Sequence, residues 1–85
     1  MPMIEIYTQA FCPYCAQALN LLRKKGVEFR EFDAPPGSSR RTEARERSGG
    51  KTSVPQIFLD GKLIGGCDDM MALERAGTLD TLLAR

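Results

Sequence analysis

The hydrophobic and polar positions at the start of this 85-residue chain follow two successive periods. Residues 3–7 alternate between apolar and polar side chains, which predicts a strand with one face in a core. Four residues then fall at offsets 0, 3, 4 and 7 and so share one face of a helix: Cys15, Ala18, Leu19 and Leu22. Lys24 and Lys25 suit the negative end of that helix, and Gly26 supplies a C-terminal stop. We therefore expect a strand followed by a helix that ends near residue 25.

The rest of the chain alternates short apolar runs with turn-forming residues. The pattern predicts, in order, a strand over residues 27–32, a helix over 40–48, a hairpin over 55–59 and 62–64, a helix over 68–76 and a last helical turn or two over 78–85. The second helix has almost no apolar face, so we expect it to be exposed, with Ser38 or Ser39 as its N-cap. Asp60-Gly61 is a favoured two-residue hairpin turn.

The order of these elements, β-α-β-α-β-β-α, determines how the strands pair. A helix joins the first two strands, so they must run parallel with a right-handed crossover. The last two strands form a hairpin and must run antiparallel. We therefore predict one α/β domain over residues 1–85, with a four-stranded mixed sheet flanked by helices.

Composition and charge narrow the possible functions. Hydrophobic residues make up 42% and charged residues 27%, which is typical of a globular domain rather than a disordered one. The formal net charge of +1 gives no field that would favour nucleic acid or a membrane surface. No apolar run approaches the roughly 20 residues of a spanning helix, and no signal-like segment follows Met1, so we expect a cytoplasmic protein. The absence of histidine excludes enzymes that need it as a general base.

Cys12 and Cys15 form a C-x-x-C pair where the predicted first strand meets the first helix. Unpaired backbone N–H groups and the positive end of the helix dipole favour a thiolate at Cys12. Cys15 lies one turn further on, toward the core, within reach for a disulfide. The alternative is half of a zinc site, which needs about four ligands. Cys67 is the only other thiol, so we expect reversible dithiol–disulfide chemistry and no metal site.

Three motifs in order resemble the signature of the dithiol (class I, CPYC) glutaredoxins, and among them the short bacterial glutaredoxin 3 type most of all. They are Cys12-Pro13-Tyr14-Cys15, Ser53-Val54-Pro55 and Gly65-Gly66-Cys67-Asp68-Asp69, and the resemblance that they carry extends over nearly the whole chain. The resemblance implies a thioredoxin fold, glutathione as co-substrate and no bound cofactor. It also implies reduction of protein disulfides and protein–glutathione mixed disulfides, with Cys12 as nucleophile and Cys15 as resolving thiol.

The same resemblance implies a set of glutathione-binding residues: Tyr14, Arg41, Ser53, Val54, Pro55, Gly66, Cys67, Asp68 and Asp69. Val54 would offer its backbone N–H and C=O to the glutathione cysteine, next to a cis bond before Pro55. The helix start at 66–69 would receive the γ-glutamyl carboxylate, with Asp68 or Asp69 holding the ammonium. Arg41 would reach the glycine carboxylate.

Several of these residues also have a purely structural explanation. Pro55 is explained equally by its place at the start of a strand, and the two aspartates are explained by capping a helix. Arg41 is explained as a solvated charge on a charged helix. Cys67 could be a regulatory thiol or simply a small residue beside the site. The chain also departs from the family at Gln9, where lysine is common, and at Ser53, where threonine is usual.

Two further functions remain open from the residues alone. One is a redoxin reduced by a thioredoxin-reductase-type flavoenzyme, against which the acidic and glycine-rich segment at 65–69 argues. The other is a dimer that binds an iron–sulfur cluster through Cys12 and glutathione, which Pro13 disfavours by stiffening the turn. We expect a monomer whose partners are glutathione and disulfide-bearing or glutathionylated proteins, with neither nucleic acid nor membrane among them.

Overall fold

The computed structural model describes residues 2–84, and the single domain over 1–85 stays a prediction. Eight elements follow one another along the chain: β1 (Ile4–Thr8), α1 (Pro13–Lys24), β2 (Arg30–Asp33), α2 (Ser39–Arg47), β3 (Gln56–Leu59), β4 (Lys62–Gly65), α3 (Cys67–Arg75) and α4 (Thr78–Leu83). The predicted last turns over 78–85 form α4, and position 85 lies outside the described residues.

The four strands form one mixed sheet in the order β2-β1-β3-β4. β1 runs parallel to β2 and antiparallel to β3, and β3 pairs antiparallel with β4. Asp60 and Gly61, with φ of 50° and 82°, form the turn between β3 and β4, as the sequence predicts. The prediction of a four-stranded mixed sheet flanked by helices is confirmed.

The face of the sheet that carries α1, α3 and α4 holds the larger apolar core. Its members are Ile4, Ile6, Ala18, Leu21, Leu22, Ile57, Leu59, Cys67, Met70, Leu79 and Leu83. Leu19, predicted on the buried face of α1, is only half-buried, while Leu21 is buried. The buried stripe passes through positions 15, 18, 21 and 22, which leaves position 19 at its edge.

The second strand starts three residues later than the sequence predicts. β2 begins at Arg30, which lies opposite Glu5 in the parallel register. In that register Val27 would face Pro2, before β1 begins, so it has no strand to pair with. Val27 and Phe29 instead pack against the larger core as half-buried side chains.

The opposite face of the sheet carries α2, which is attached mainly by polar contacts. Ala44 is the only buried residue of α2, as its predicted lack of an apolar face requires. Arg47 donates two hydrogen bonds to Glu5, at 2.8 and 3.2 Å, and one to the Tyr7 hydroxyl at 2.9 Å. Its guanidinium lies 4.2 Å above the Phe58 ring. The Tyr7 hydroxyl in turn donates to Glu43 of α2, so a charged network replaces the missing apolar stripe.

Candidate active site

The first cysteine stands at the start of α1, as predicted. Cys12 is the N-cap residue, with extended φ and ψ of −105° and 107°, and Pro13 occupies the first turn, where a missing N–H costs little. The Cys12 sulfur accepts a hydrogen bond from the Cys15 backbone N–H at 3.3 Å. The side chain is half-buried. A sulfur in this position is reachable by a substrate and faces the positive end of the helix.

The second cysteine lies beneath the first and is only 2% exposed. Burial, followed by the side-chain hydrogen bond with Cys12, raises the pKa of the Cys15 thiol to about 12. Cys15 is therefore a neutral thiol near pH 7. It can become a nucleophile only as it gives up its proton, which suits the second step of a dithiol reaction better than the first.

A cleft of about 240 Å³ opens beside this helix start. It is lined by residues from all three predicted motifs, together with some that were not predicted: Tyr14, Lys51, Ser53, Val54, Pro55, Gln56, Leu63, Gly65, Gly66, Cys67, Asp68 and Asp69. The Val54–Pro55 bond is cis, as the resemblance implied. Eight of the nine predicted glutathione-binding residues thus share one cleft. The exception is Arg41.

The loop that enters β3 depends on Gln56, whose role sequence reasoning missed. Gln56 is 2% exposed, and its side-chain amide donates to the backbone carbonyls of Lys51 and Ser53 at 3.0 and 2.9 Å. These two bonds fold the loop so that Lys51 and Ser53 both line the cleft. Lys51 was missed as well, although a cation four positions before Pro55 was a visible signal.

The start of α3 closes one end of the cleft. Gly66 is the N-cap, and its N–H donates to the Asp69 carboxylate at 3.0 Å. Gly65 has a φ of +133°, and a Cβ at this position would collide with the Asp69 carboxylate. Asp69 therefore caps the helix, and its predicted contact with glutathione stays a prediction, since one carboxylate can serve both purposes. Asp68 is exposed in the first turn, next to the cleft.

Arg41 lies outside the cleft lining and is held by three acceptors. Its guanidinium donates to the Gln9 side chain at 2.7 Å, to the Ala34 carbonyl at 2.9 Å and to the Thr52 carbonyl at 3.0 Å. The Gln9 contact places the charge where the family often carries lysine. Arg41 is thus a fixed cation near the dithiol rather than a freely solvated one.

Cys67 is buried at the cleft, and its thiol donates to the Gln17 side chain at 3.6 Å. Burial is the main cause that raises the pKa of Cys67, and the charges of Asp68 and Cys12 add to it. A thiol that is hard to ionise is a weak nucleophile. This supports the interpretation of Cys67 as a small residue beside the site.

Within residues 2–84, no cluster of three or more histidine, cysteine or acidic side chains could hold a metal ion. In that same stretch no helix is both long and apolar enough to cross a membrane.

Comparison with known proteins identifies the family. The model of the glutaredoxin family matches residues 4–64. Glutaredoxin 3 of Escherichia coli K12 is 51% identical over 83 residues, which cover 98% of this chain and 99% of that protein. The solution structure of glutaredoxin from Brucella melitensis is 52% identical with a TM-score of 0.79, over 94% of this chain and 86% of that one.

A more distant structure, a buckwheat glutaredoxin–glutathione complex, is 26% identical with a TM-score of 0.83, over 95% of this chain and 76% of that one. These findings give no support to a flavoenzyme-served redoxin or an iron–sulfur protein. The chain therefore belongs to the glutaredoxin family, and it is a thiol–disulfide oxidoreductase with a thioredoxin fold that uses glutathione as co-substrate.

Proposed function

We propose that Cys12 is the nucleophile of this oxidoreductase, that Cys15 is its resolving thiol, and that glutathione binds in the cleft between Tyr14 and the start of α3. The single observation that carries the proposal is the arrangement of the dithiol. A half-buried sulfur caps a helix start, and a buried thiol with a pKa of about 12 lies beneath it. The two cysteines therefore suit successive steps and cannot exchange roles.

With a protein–glutathione mixed disulfide, the Cys12 thiolate attacks the glutathione sulfur. The S–S bond breaks, and the protein sulfur leaves as a thiolate that takes up a proton. Cys12 is then joined to glutathione. A second glutathione thiolate attacks the glutathione sulfur of this adduct, which releases oxidised glutathione and regenerates the Cys12 thiolate. Cys15 has no part in this route.

With a protein disulfide, Cys12 attacks one substrate sulfur and the other leaves as a thiol. The Cys15 thiol then loses its proton and attacks the Cys12 sulfur, which releases the second substrate thiol and leaves a Cys12–Cys15 disulfide. Two glutathione molecules reduce this disulfide in turn. Because the side chains of Cys15 and Cys12 are already within hydrogen-bond reach, this attack needs little movement of α1.

The cleft offers matching groups for each part of glutathione. The N–H groups at the start of α3 suit the γ-glutamyl carboxylate, and the exposed Asp68 suits the ammonium. The backbone of Val54 suits the central cysteine. Two cations compete for the glycine carboxylate: Arg41, fixed beside Gln9, and Lys51, which lines the cleft. Ser53, Pro55, Gly66 and Cys67 supply the walls.

The test compares two variants that differ only in which thiol is lost. Cys12→Ser should abolish reduction of both substrate classes. Cys15→Ser should retain reduction of glutathionylated substrate and lose reduction of protein disulfides. Both are assayed by glutathione-dependent turnover coupled to glutathione reductase. Equal losses in the two variants on glutathionylated substrate would overturn the assignment.

We also propose that the enzyme works as a monomer, without a resident cofactor, in the cytoplasm. The support for the compartment is chemical: all three cysteines are free thiols, and a dithiol that reduces its substrates needs a reducing compartment. Light scattering across a hundredfold range of concentration tests the monomer. Absorbance after anaerobic reconstitution with iron and sulfide tests the cofactor, and a visible cluster band would contradict it.

A further inference from the structure

The side of Cys12 away from the glutathione cleft carries a second groove, of about 480 Å³. We call it the Phe11 groove; its main lining residues are Phe11, Cys12, Pro13, Ala16, Leu19 and Glu31. It shares no lining residue with the cleft proposed for glutathione. The nucleophile thus stands next to two separate surfaces, one of mixed polarity and one largely apolar.

Phe11 is unusual in both its exposure and its backbone. The side chain is fully exposed, so its ring contributes nothing to the core. Its φ of 58° lies in the left-handed region, which costs an aromatic residue energy that glycine or asparagine would largely avoid. Neither the fold nor the glutathione cleft uses the ring. An exposed aromatic side chain immediately before the nucleophile is well placed to contact a bound protein.

One carboxylate gives the groove an electrostatic character. Glu31 lies on its rim, where one of its oxygens accepts a hydrogen bond from the Thr8 hydroxyl at 2.9 Å. That bond orients the carboxylate. None of the described residues that line the groove is a cation; Arg41 lies behind the lining residue Gln9 and donates to its side chain at 2.7 Å. A partner that fits this surface therefore carries an apolar side chain for the Phe11 side and a positive charge for the Glu31 side.

We propose that the Phe11 groove binds the polypeptide of protein substrates, by taking up an apolar residue next to the substrate cysteine and a basic residue a few positions away. The occupant follows from continuity with the reaction site, because Cys12 itself forms part of the wall. Any protein whose sulfur reaches Cys12 must come close to this surface. The inference rests on the proposed role of Cys12, and it makes Phe11 and Glu31 determinants of specificity.

The experiment uses glutathionylated peptides of one length that differ at two positions. The residue next to the cysteine is leucine or alanine, and the charged residue is lysine or glutamate. A glutathione mixed disulfide of a small thiol serves as the substrate without a polypeptide. We expect kcat/KM to favour the leucine–lysine peptide over the alanine–glutamate peptide on the order of tenfold, as for one well-placed apolar group in a pocket.

Phe11→Asn tests the ring, since asparagine tolerates the left-handed backbone. This variant should lose the leucine preference and keep wild-type turnover of the small mixed disulfide. Glu31→Lys should reverse the preference between lysine and glutamate peptides. Met3→Asn is the matched control, because Met3 is another exposed apolar residue but does not line the groove. It should change neither preference.

Several results would overturn the proposal. The wild type could show no preference among the peptides, or Phe11→Asn could keep the leucine preference. Equal losses in Phe11→Asn on peptides and on the small mixed disulfide would mean that Phe11 acts on Cys12 rather than on the substrate. A Phe11-dependent dimer in light scattering would mean that a second copy occupies the groove. An error in the proposed role of Cys12 would be seen in a different result, namely activity that is retained in Cys12→Ser.

Discussion

Arg47 is the residue through which the polar helix α2 is held on the sheet, and replacing it with alanine should be costly. The change removes two hydrogen bonds to Glu5, one to the Tyr7 hydroxyl and the contact with the Phe58 ring. It also leaves the Glu5 carboxylate, whose side chain is only 14% exposed, without its cation. The loss of stability therefore has two causes: the favourable contacts of Arg47 are gone, and the Glu5 carboxylate stays partly desolvated without a partner.

The structure sets the size of the effect. Removing one partner of a fully buried ion pair costs about 3–5 kcal/mol. The Arg47 side chain keeps 27% of its exposure, so water screens part of the interaction and can reach Glu5 once the guanidinium is gone. We therefore expect Arg47→Ala to lower the free energy of unfolding by about 2–3 kcal/mol.

Arg40→Ala is the matched control on the same helix. Arg40 pairs with Glu43 at 3.2 Å, but their side chains are 47% and 40% exposed, and its guanidinium lies 4.3 Å above the Phe32 ring. Exposed pairs of this kind contribute about 0–1 kcal/mol. Urea unfolding of both variants at pH 7, followed by circular dichroism, measures the difference. Losses that agree within about 0.5 kcal/mol would refute the idea that a partly desolvated network holds α2.

Three further outcomes are expected. Gly65→Ala should raise the KM for glutathionylated substrate, because the added Cβ would displace the Asp69 carboxylate that caps α3. Gly61→Ala is the control: Gly61 also has a positive φ but has open space around it, so the KM should stay unchanged. Folding raises the Cys15 pKa from 9.0 to about 12, so the contribution of Cys15 to stability should be complete well below pH 9 and should be lost as pH rises toward 12. The fall in stability between pH 8 and pH 10, measured by urea titration, should therefore be smaller in Cys15→Ser than in the wild type. A comparison of kcat/KM for Arg41→Gln and Lys51→Gln should show which cation binds the glycine carboxylate. Replacing the cation that binds should lower kcat/KM about tenfold, and replacing the other should change it little. If kcat/KM is unchanged in both variants, neither cation binds the carboxylate.

The elements predicted well from the sequence are those that local chemistry determines. Pro13 at a helix start and the Asp60-Gly61 turn each restrict the backbone by themselves, so their elements appear where predicted. The start of β2 could not be predicted in this way. It depends on the register with β1, which is set by residues 25 positions away in the chain.

The candidate site shows the same division. The three motifs place their residues around one cleft because each lies on a strand end, a loop or a helix start that the fold brings together. Lys51 was missed because a cation near Pro55 shows only that a charge is present, while its place at the cleft depends on the loop that the two Gln56 bonds fold. The three acceptors around Arg41 come from separate segments of the chain, so no local sequence pattern predicts that they meet.

One face of the sheet is covered mainly through apolar contacts and the other mainly through charged ones, so the two faces should respond differently to salt. Dissolved ions weaken attraction between charges at the surface, whereas sulfate strengthens the burial of apolar groups. Adding sulfate should therefore tighten the packing of α1 and α3 while it loosens α2. Hydrogen exchange would then detect α2 opening before the rest of the domain, as a unit of low local stability. Arg41 is part of α2, and no residue of α2 belongs to the larger apolar core. A change in ionic strength that loosens α2 would therefore also displace the cation near the dithiol.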